Sequence, residues 1–446
     1  MQSLSTMVGA AERRVRVAVV VGLHDRPPVG GHLGVWLRVT EALAAMPRAP
    51  VQLDLMILRR GAAPADQALA ADIHVHRLPA LLNSDRLPFT RTAAGGTELL
   101  APSPFLLRRL KACDPDVVVI SDPFGFGRTA AGWARRNRRG LVYAVQTRHD
   151  VFAALYGRVI LVRMMGERVG RWCEDRLRLS ERLAAGMQAR VAALMNQADH
   201  ILASSHAELA RLRALRPADT VSLWRRGLDF ARFAPARRDR QWLHRSYGIP
   251  PDRFVLLFAG RVDESKGVPF LLDVMEASLP SVPALHLFLA GEGAWRRWAQ
   301  ARLGPRVTAA GALPQEELAR VMASCDAFVF PSPSDAAANV LREAQASGLA
   351  VLVNNSEPVA ELVAAPGLDG LSLPVGDCRA WAQAVQDLAT ADETARSSRR
   401  RQIAARARQR YPDWHSVLTE DLLPVWQAVA GRSSVISHRL SVISHR

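Results

Sequence analysis

The chain has 446 residues, of which 49% are hydrophobic, and it carries a formal net charge of +16. This length exceeds what one hydrophobic core usually serves, so it predicts two domains of roughly 200 residues each. No apolar run approaches the length of about 18 residues that a membrane-spanning helix needs, and residues 1–14 lack the features of a secretory signal. We therefore expect a cytoplasmic protein.

The cysteines and the basic residues indicate which kinds of site and which binding partners the protein has. The cysteines are Cys113, Cys173, Cys325 and Cys378. Their wide spacing predicts neither a disulfide framework nor a zinc site. The positive charge suits nucleic acid, an anionic membrane surface or phosphate-bearing substrates. Only two lysines, Lys111 and Lys266, stand against 56 arginines, so each retained lysine is a candidate for a specific task.

Short apolar runs alternate with longer amphipathic segments along the chain. The predicted strands are Val15–Leu23, Val51–Leu58, Val117–Ser121, Leu141–Gln146, His200–Ala203, Phe254–Ala259, Leu285–Ala290, Ala327–Phe330 and Ala350–Val353. Predicted helices between them include Gly34–Met46, Val268–Ala277, Gln315–Ala323 and Val340–Ser347. This alternation predicts an α/β fold with doubly wound parallel sheets.

A charged stretch with Gly248, Pro250 and Pro251 precedes a fresh strand and predicts the boundary between two domains. The predicted divisions are a flexible N-terminus (1–14), an N-terminal Rossmann-like domain (15–235), a linker (236–252), a C-terminal Rossmann-like domain (253–412), a C-terminal helix that packs back on the N-terminal domain (413–431) and a disordered tail (432–446). The tail contains SVISHR twice and receives no function.

The pattern predicts a long, largely helical stretch between His149 and Asn196, in which arginines are interleaved with apolar residues. One interpretation is a basic surface that rests on an anionic membrane, as a peripheral protein at the inner face of the membrane would. The other is an ordinary helical pair whose apolar stripe faces the core, and we favour it.

The strongest local signal is a strand, FVLLFAG, followed by Arg261, the segment ESKG (264–267) and an amphipathic helix. A strand that leads through glycine to a helix N-terminus makes an anion site, because backbone amides and the helix dipole face the same point. Arg261 and Lys266 would add two positive charges there. The pattern therefore predicts a phosphate site rather than a turn with solvated charges.

A second constellation, FVFPSPSDAAANVLREAQASG, runs from Phe328 to Gly348. Asp335 follows a strand, Asn339 begins a helix, and Glu343 lies one turn into that helix. Both carboxylates are predicted to face one cleft at the carboxyl edge of the sheet, where they suit sugar hydroxyls. Taken alone, Asp335 could be a helix cap and Glu343 a surface residue.

These segments, together with LAGEG (289–293), resemble the donor-site motifs of family 4 retaining glycosyltransferases with the GT-B fold. Further matching segments are Gly30-Gly31, TRHD (147–150), ADHILASS (198–205) and LWRRGLDFARFAP (223–235). The chain is most similar to bacterial GDP-mannose-dependent mannosyltransferases and related glycolipid glycosyltransferases. The resemblance implies two facing Rossmann-like domains with a donor cleft between them.

The resemblance also implies roles for individual residues. Arg261 and Lys266 would hold the donor diphosphate and neutralise the leaving group, and Asp335 and His149 would contact the transferred sugar. The remaining donor-binding positions are Gly30, Gly31, Gly293, Asn339 and Glu343, with Gly293 near the base and Glu343 on the ribose.

The implied reaction is a hexose transfer, mannose-like, from a GDP- or UDP-linked sugar to an acceptor hydroxyl of a lipid or saccharide, with retention. No cofactor and no metal are predicted, because the Asp-rich motif of metal-dependent glycosyltransferases is absent. Nucleic acid is not an expected partner, since the arginines are spread over many helices and no nucleic-acid motif occurs.

Alanines 336–338 replace the small, aromatic and glycine residues common after the first carboxylate of this motif. Alanine does not tolerate the positive φ that glycine permits. The alternative function is therefore a GT-B protein that binds nucleotide or a partner without turnover.

Overall fold

The computed structural model describes residues 14–24, 31–59, 64–84, 96–146, 178–332, 339–356 and 359–432, with four single residues between 166 and 176. The chain divides into two compact units. Unit 1 combines residues 1–225 with residues 415–446, and unit 2 comprises residues 226–414. The chain thus leaves unit 1 after Arg225 and returns to it at His415.

Unit 1 contains an eight-stranded sheet in the order β3-β4-β2-β1-β5-β6-β7-β8. Its strands are β1 (Val15–His24), β2 (Val51–Arg59), β3 (Ala65–Ala70), β4 (Ile73–Pro79), β5 (Val117–Ile120), β6 (Gly140–Ala144), β7 (His200–Ala203) and β8 (Val221–Leu223). All pairs are parallel except β3 with β4, which is antiparallel. The central strand β5 is a fully buried run of β-branched residues, VVVI, as expected for a sheet covered on both faces.

The helices of unit 1 cover this sheet. In the described part of residues 1–225 they are α1 (Gly31–Ala44), α2 (Pro104–Cys113), α3 (Gly125–Arg136), α4 (Leu179–Gln197) and α5 (His206–Arg213). The core includes Trp36 of α1, which contacts Trp224 with ring centroids 4.5 Å apart. Both indoles are fully buried.

Unit 2 contains a six-stranded, entirely parallel sheet in the order β11-β10-β9-β12-β13-β14. Its strands are β9 (Phe254–Ala259), β10 (Leu285–Ala290), β11 (Val307–Gly311), β12 (Ala327–Phe330), β13 (Ala350–Asn354) and β14 (Gly370–Leu373). Its helices are α6 (Arg240–Tyr247), α7 (Val268–Ser278), α8 (Trp295–Leu303), α9 (Gln315–Ser324), α10 (Asn339–Ala346), α11 (Cys378–Thr390) and α12 (Glu393–Arg410).

The last described helix, residues 414–432, contains a π-helical turn, Val417–Leu422. This turn packs against α1, and the helix buries Leu418, Leu422 and Trp426 completely. Arg225 donates to Asp421 with Nη2 and Oδ1 2.7 Å apart and also pairs with Glu420. The end of the described chain is therefore tied into unit 1.

The two sheets confirm the predicted α/β class with parallel, doubly wound order. In unit 2 the strand order reverses between β9 and β12, and in unit 1 it reverses between β1 and β5. Ligands of open α/β sheets bind beyond the carboxyl ends of the strands at such reversals. The fold therefore places a candidate site at the end of β9 and β12.

Candidate functional site

The segment after β9 carries the residues predicted to bind phosphate. A short 3₁₀ turn, Glu264–Lys266, leads into α7, whose second residue is proline. Arg261 Nη1 lies 3.2 Å from Asp263 Oδ2, and its Nη2 donates to Ser265 Oγ at 2.9 Å. Ser265 Oγ in turn donates to Asp263 Oδ1 at 2.6 Å. This triad fixes one side of the Arg261 guanidinium, which stays 38% exposed.

Two glycines let the strand ends approach one another closely. Gly267 adopts a φ of 71°, and a Cβ there would lie 3.0 Å from the carbonyl oxygen of Pro331 after β12. A Cβ on Gly293 would lie 2.1 Å from the carbonyl oxygen of Val262. No side chain fits at that distance, so Gly293 is required by packing whatever it contributes to a ligand.

Hydrogen bonds join the ends of β9, β12 and β13. Ser332 Oγ, fully buried after β12, donates to the carbonyl oxygen of Ser265 at 3.4 Å. Asn354 at the end of β13 is also fully buried, and its Nδ2 donates to the carbonyl oxygen of Ser332. Neither Ser332 nor Asn354 is among the predicted site residues. Each is a polar residue at the carboxyl end of an apolar strand, and this pattern is the sequence signal that could have identified them.

The helix predicted to carry a donor carboxylate begins at Asn339, and Glu343 lies half-buried on it. Arg342 Nη1 donates to Asn339 Oδ1 at 3.3 Å. Burial lowers the pKa of Arg342. Burial first, and then the neighbouring Arg342 cation, lowers the pKa of Arg226 to about 9. Arg226, which is buried, and Arg342, which is half-buried, therefore make the surroundings of this helix positive. The sequence does not predict this pair, because the two arginines are far apart in the chain.

Several predicted site residues lie outside the described residues. These are His149, Asp335 and Gly30, together with alanines 336–338. Gly31 is the first residue of α1, which follows β1 in unit 1. The described part of the site thus consists of Arg261, Lys266, Gly293, Asn339 and Glu343, all in unit 2.

Unit 1 also has a polar carboxyl edge, next to its own strand reversal. Asp122, buried after β5, accepts from the backbone N–H of Gly22 at 2.9 Å and of Phe124 at 3.0 Å. Glu98 is fully buried and accepts three backbone N–H groups, from Leu81, Leu82 and Leu100. These carboxylates shape the backbone at this edge.

Within the described ranges, no helix is both long enough and apolar enough to cross a membrane.

Comparison with known proteins agrees with this geometry. Residues 29–232 match the family described as "Glycosyltransferase Family 4", and residues 253–391 match "Glycosyl transferases group 1". Among curated proteins, the chain is 30% identical to a GDP-mannose-dependent alpha-mannosyltransferase of Mycolicibacterium smegmatis, covering 84% of this chain and 88% of the relative. A protein of the same name from Mycobacterium tuberculosis is 29% identical over 81% of this chain and 83% of its own.

Solved structures show the same fold at low sequence identity. The sucrose-phosphate synthase of Thermosynechococcus elongatus superposes with a TM-score of 0.65 at 18% identity, covering 96% of this chain and all of the other. The Anabaena protein HepE, in complex with UDP and glucose, gives a TM-score of 0.62 at 16% identity over 91% and 98% of the two chains. From the matched segments and these relatives, the chain belongs to the family 4 glycosyltransferases and has the GT-B fold.

Proposed function

We propose that this glycosyltransferase transfers mannose from GDP-mannose, with retention of configuration, to a hydroxyl of a lipid or saccharide acceptor. The donor assignment is supported by similarity to two mycobacterial GDP-mannose-dependent alpha-mannosyltransferases over more than four-fifths of this chain. The observation that carries the reaction is the placement of Arg261 and Lys266 in one short segment beyond β9, at the strand reversal.

The chemistry follows from these charges. As the bond between the sugar and the phosphate breaks, negative charge develops on the nucleoside diphosphate. A fixed arginine and lysine stabilise that charge without reorganisation, and the N-terminus of α7 contributes its dipole. The two cations supply the charge that a divalent ion provides in other glycosyltransferases, so we propose that the donor site uses no metal.

The other donor contacts are assigned by the chemistry of their groups. Glu343 would accept hydrogen bonds from the ribose hydroxyls, and Asn339 would lie at the start of the same helix. Asp335 and His149 are proposed to contact the sugar, with Gly30 and Gly31 letting backbone amides approach the donor. In the retaining reaction the departing phosphate takes the proton of the acceptor hydroxyl on the face that it leaves.

Calorimetric binding of GDP-mannose, GDP, UDP-glucose and UDP tests the donor. We expect wild type to bind GDP-mannose and the double variant Arg261→Ala, Lys266→Ala to bind it at least about 100-fold more weakly, because each lost charge-assisted hydrogen bond costs about 1.5–3 kcal/mol. Lys111→Ala is the matched control, since it removes the other lysine, which is exposed in unit 1. Tighter binding of UDP-glucose than of GDP-mannose would contradict the donor assignment.

Turnover is tested separately with lipid and saccharide acceptors, following GDP release and the anomeric configuration of the product by NMR. An α-linked mannoside confirms retention. A β-linked product would contradict the retaining mechanism. Binding of GDP-mannose without release of GDP from any acceptor would favour the nonenzymatic alternative.

A further inference from the structure

A second polar cluster lies in unit 1, which does not contain the Arg261–Lys266 segment. It consists of Asp54 on β2, His76 on β4 and Cys113, the last residue of α2. One ligand atom from each, a carboxylate oxygen, an imidazole nitrogen and the sulfur, lies within 4.8 Å of the other two. Three elements distant in sequence thus bring together three residues of metal-ligand type.

The imidazole of His76 is held in a fixed orientation. Its Nε2 lies 2.6 Å from Asp54 Oδ1, and its Nδ1 lies 2.9 Å from Asp66 Oδ1. Asp66 sits directly opposite His76 in the antiparallel pair of β3 and β4, and its other oxygen accepts from Arg109 at 2.6 Å. Histidines that bind metals usually donate their second ring N–H to a carboxylate in this way.

We propose that Asp54, His76 and Cys113 bind one zinc ion through Oδ1, Nε2 and Sγ, with Asp66 as a positioning residue. A carboxylate and a thiolate would balance the charge of Zn²⁺, and the imidazole completes a mixed N, O and S set of the kind zinc prefers. Water would take the fourth position.

The spacing of the three side chains suits this ion. Bonds of about 2.0–2.3 Å in a tetrahedron place ligand atoms roughly 3.3–3.8 Å apart. The three ligand atoms lie within 4.8 Å of one another, and His76 Nε2 and Asp54 Oδ1 are 2.6 Å apart. To bind the ion, these two atoms would move apart by about 1 Å.

Binding must displace a proton. Burial first, and then the Asp54 carboxylate, raises the pKa of the Cys113 thiol to about 12, so the sulfur is protonated at neutral pH. Zinc would take the place of the thiol proton of Cys113, which leaves to solvent. The ion would then join α2 to β2 and β4. The spacing of residues in the sequence does not predict this metal site, because its three ligands come from three separate elements.

Metal binding to the full chain after chelator treatment tests the proposal without any sugar donor, so its failure leaves the glycosyltransferase assignment untouched. We expect one equivalent of zinc by titration. With cobalt in place of zinc, a thiolate-to-cobalt charge-transfer band and the intense visible bands of tetrahedral cobalt are expected. Asp66→Ala should weaken zinc binding by about 10–100-fold.

Variants of single cysteines identify the residue whose sulfur binds the metal. Cys113→Ser should lose the charge-transfer band, whereas Cys173→Ser and Cys378→Ser should keep it, and thermal unfolding shows that each variant is folded. If wild type binds no zinc, or if the band survives in Cys113→Ser, the proposal is wrong, and the cluster only holds His76 between Asp54 and Asp66 by hydrogen bonds.

Discussion

His200 and His286 occupy corresponding places in the two sheets. Each lies on the strand next to an edge and contacts a hydroxyl of the edge strand: His200 Nε2 is 2.9 Å from Ser222 Oγ, and His286 Nε2 is 2.9 Å from Thr308 Oγ1. Burial is the first cause that lowers the pKa of both imidazoles from 6.5 to about 4, and neighbouring arginines add to it. Both histidines are therefore neutral in the folded chain at neutral pH.

This lowered pKa predicts acid sensitivity. Below pH 6.5 the imidazole is protonated in the unfolded chain, whereas in the folded chain it stays neutral down to about pH 4. The free energy of unfolding therefore decreases as the pH falls across that window. Each histidine contributes at most about 3 kcal/mol. His286→Gln should therefore lose less thermal stability between pH 7.5 and pH 5 than wild type does. His244→Gln, at an exposed position of α6, is the control and should behave as wild type. Equal losses in His286→Gln and wild type would show that another group causes the sensitivity.

At the scale of elements, Asp326 anchors the end of unit 2 opposite to its candidate site. It immediately precedes β12, and its Oδ2 accepts from the backbone N–H of Val255 in β9 at 2.9 Å. It also pairs with Arg238, which precedes α6, with Arg240, the first residue of α6, and with Arg400 of α12. The amino ends of the two strands at the reversal are thus pinned by one buried carboxylate, which holds their carboxyl ends in register for a donor.

Asp326→Asn should strongly destabilise unit 2. The substitution leaves the nearly buried Arg400 without its buried counter-charge, and breaking a buried pair in this way costs about 3–5 kcal/mol. Chemical unfolding followed by circular dichroism measures the loss, and Asp252→Asn, at an exposed turn before β9, is the control. A loss in Asp326→Asn as small as that in the control would mean that the arginines are satisfied by water.

The sequence predicts a strand where a continuous apolar run marks it as buried. The buried strands Phe254–Ala259, which is apolar throughout, and Leu285–Ala290, which is apolar except for His286, were predicted at their observed bounds. The edge strands β3, β8, β11 and β14 were missed because solvent covers one of their edges and they lack a continuous apolar run. The interior strand β4 was also missed, because His74, His76 and Arg77 interrupt its apolar residues. The Arg261–Lys266 segment was found because its chemistry is local. Ser332, Asn354 and Arg226 were not, because their partners are distant in sequence.

At the scale of the molecule, unit 1 depends on a segment that follows unit 2 in the chain. Residues 415–432 supply Leu418, Leu422 and Trp426 to the core of unit 1, and Asp421 binds Arg225. Unit 2 is built from consecutive residues, 226–414, with its own buried core. A chain shortened before residue 415 would therefore lose core residues of unit 1 and none of unit 2.

A chain that ends at residue 414 should lose the folding of unit 1 and keep that of unit 2. Removing the three fully buried side chains exposes apolar surface in unit 1 and costs several kcal/mol, at about 2–5 kcal/mol for each. Hydrogen exchange resolved by peptide should show lost protection in β1–β8 and retained protection in β9–β14. A chain that ends at residue 432 is the control. Retained protection of β1–β8 in the shorter chain would show that unit 1 does not need this helix.

The insertion of unit 2 between the two segments of unit 1 also sets an order for synthesis on the ribosome. All strands of the first sheet emerge early, yet the helix that packs against α1 is translated after unit 2, so the face of α1 that it contacts stays uncovered while the second sheet is made. Unit 2 can complete its core as soon as residue 414 has left the exit tunnel. We therefore expect unit 2 to fold first, and chaperones that recognise apolar surface to hold unit 1 until residues 415–432 have been made.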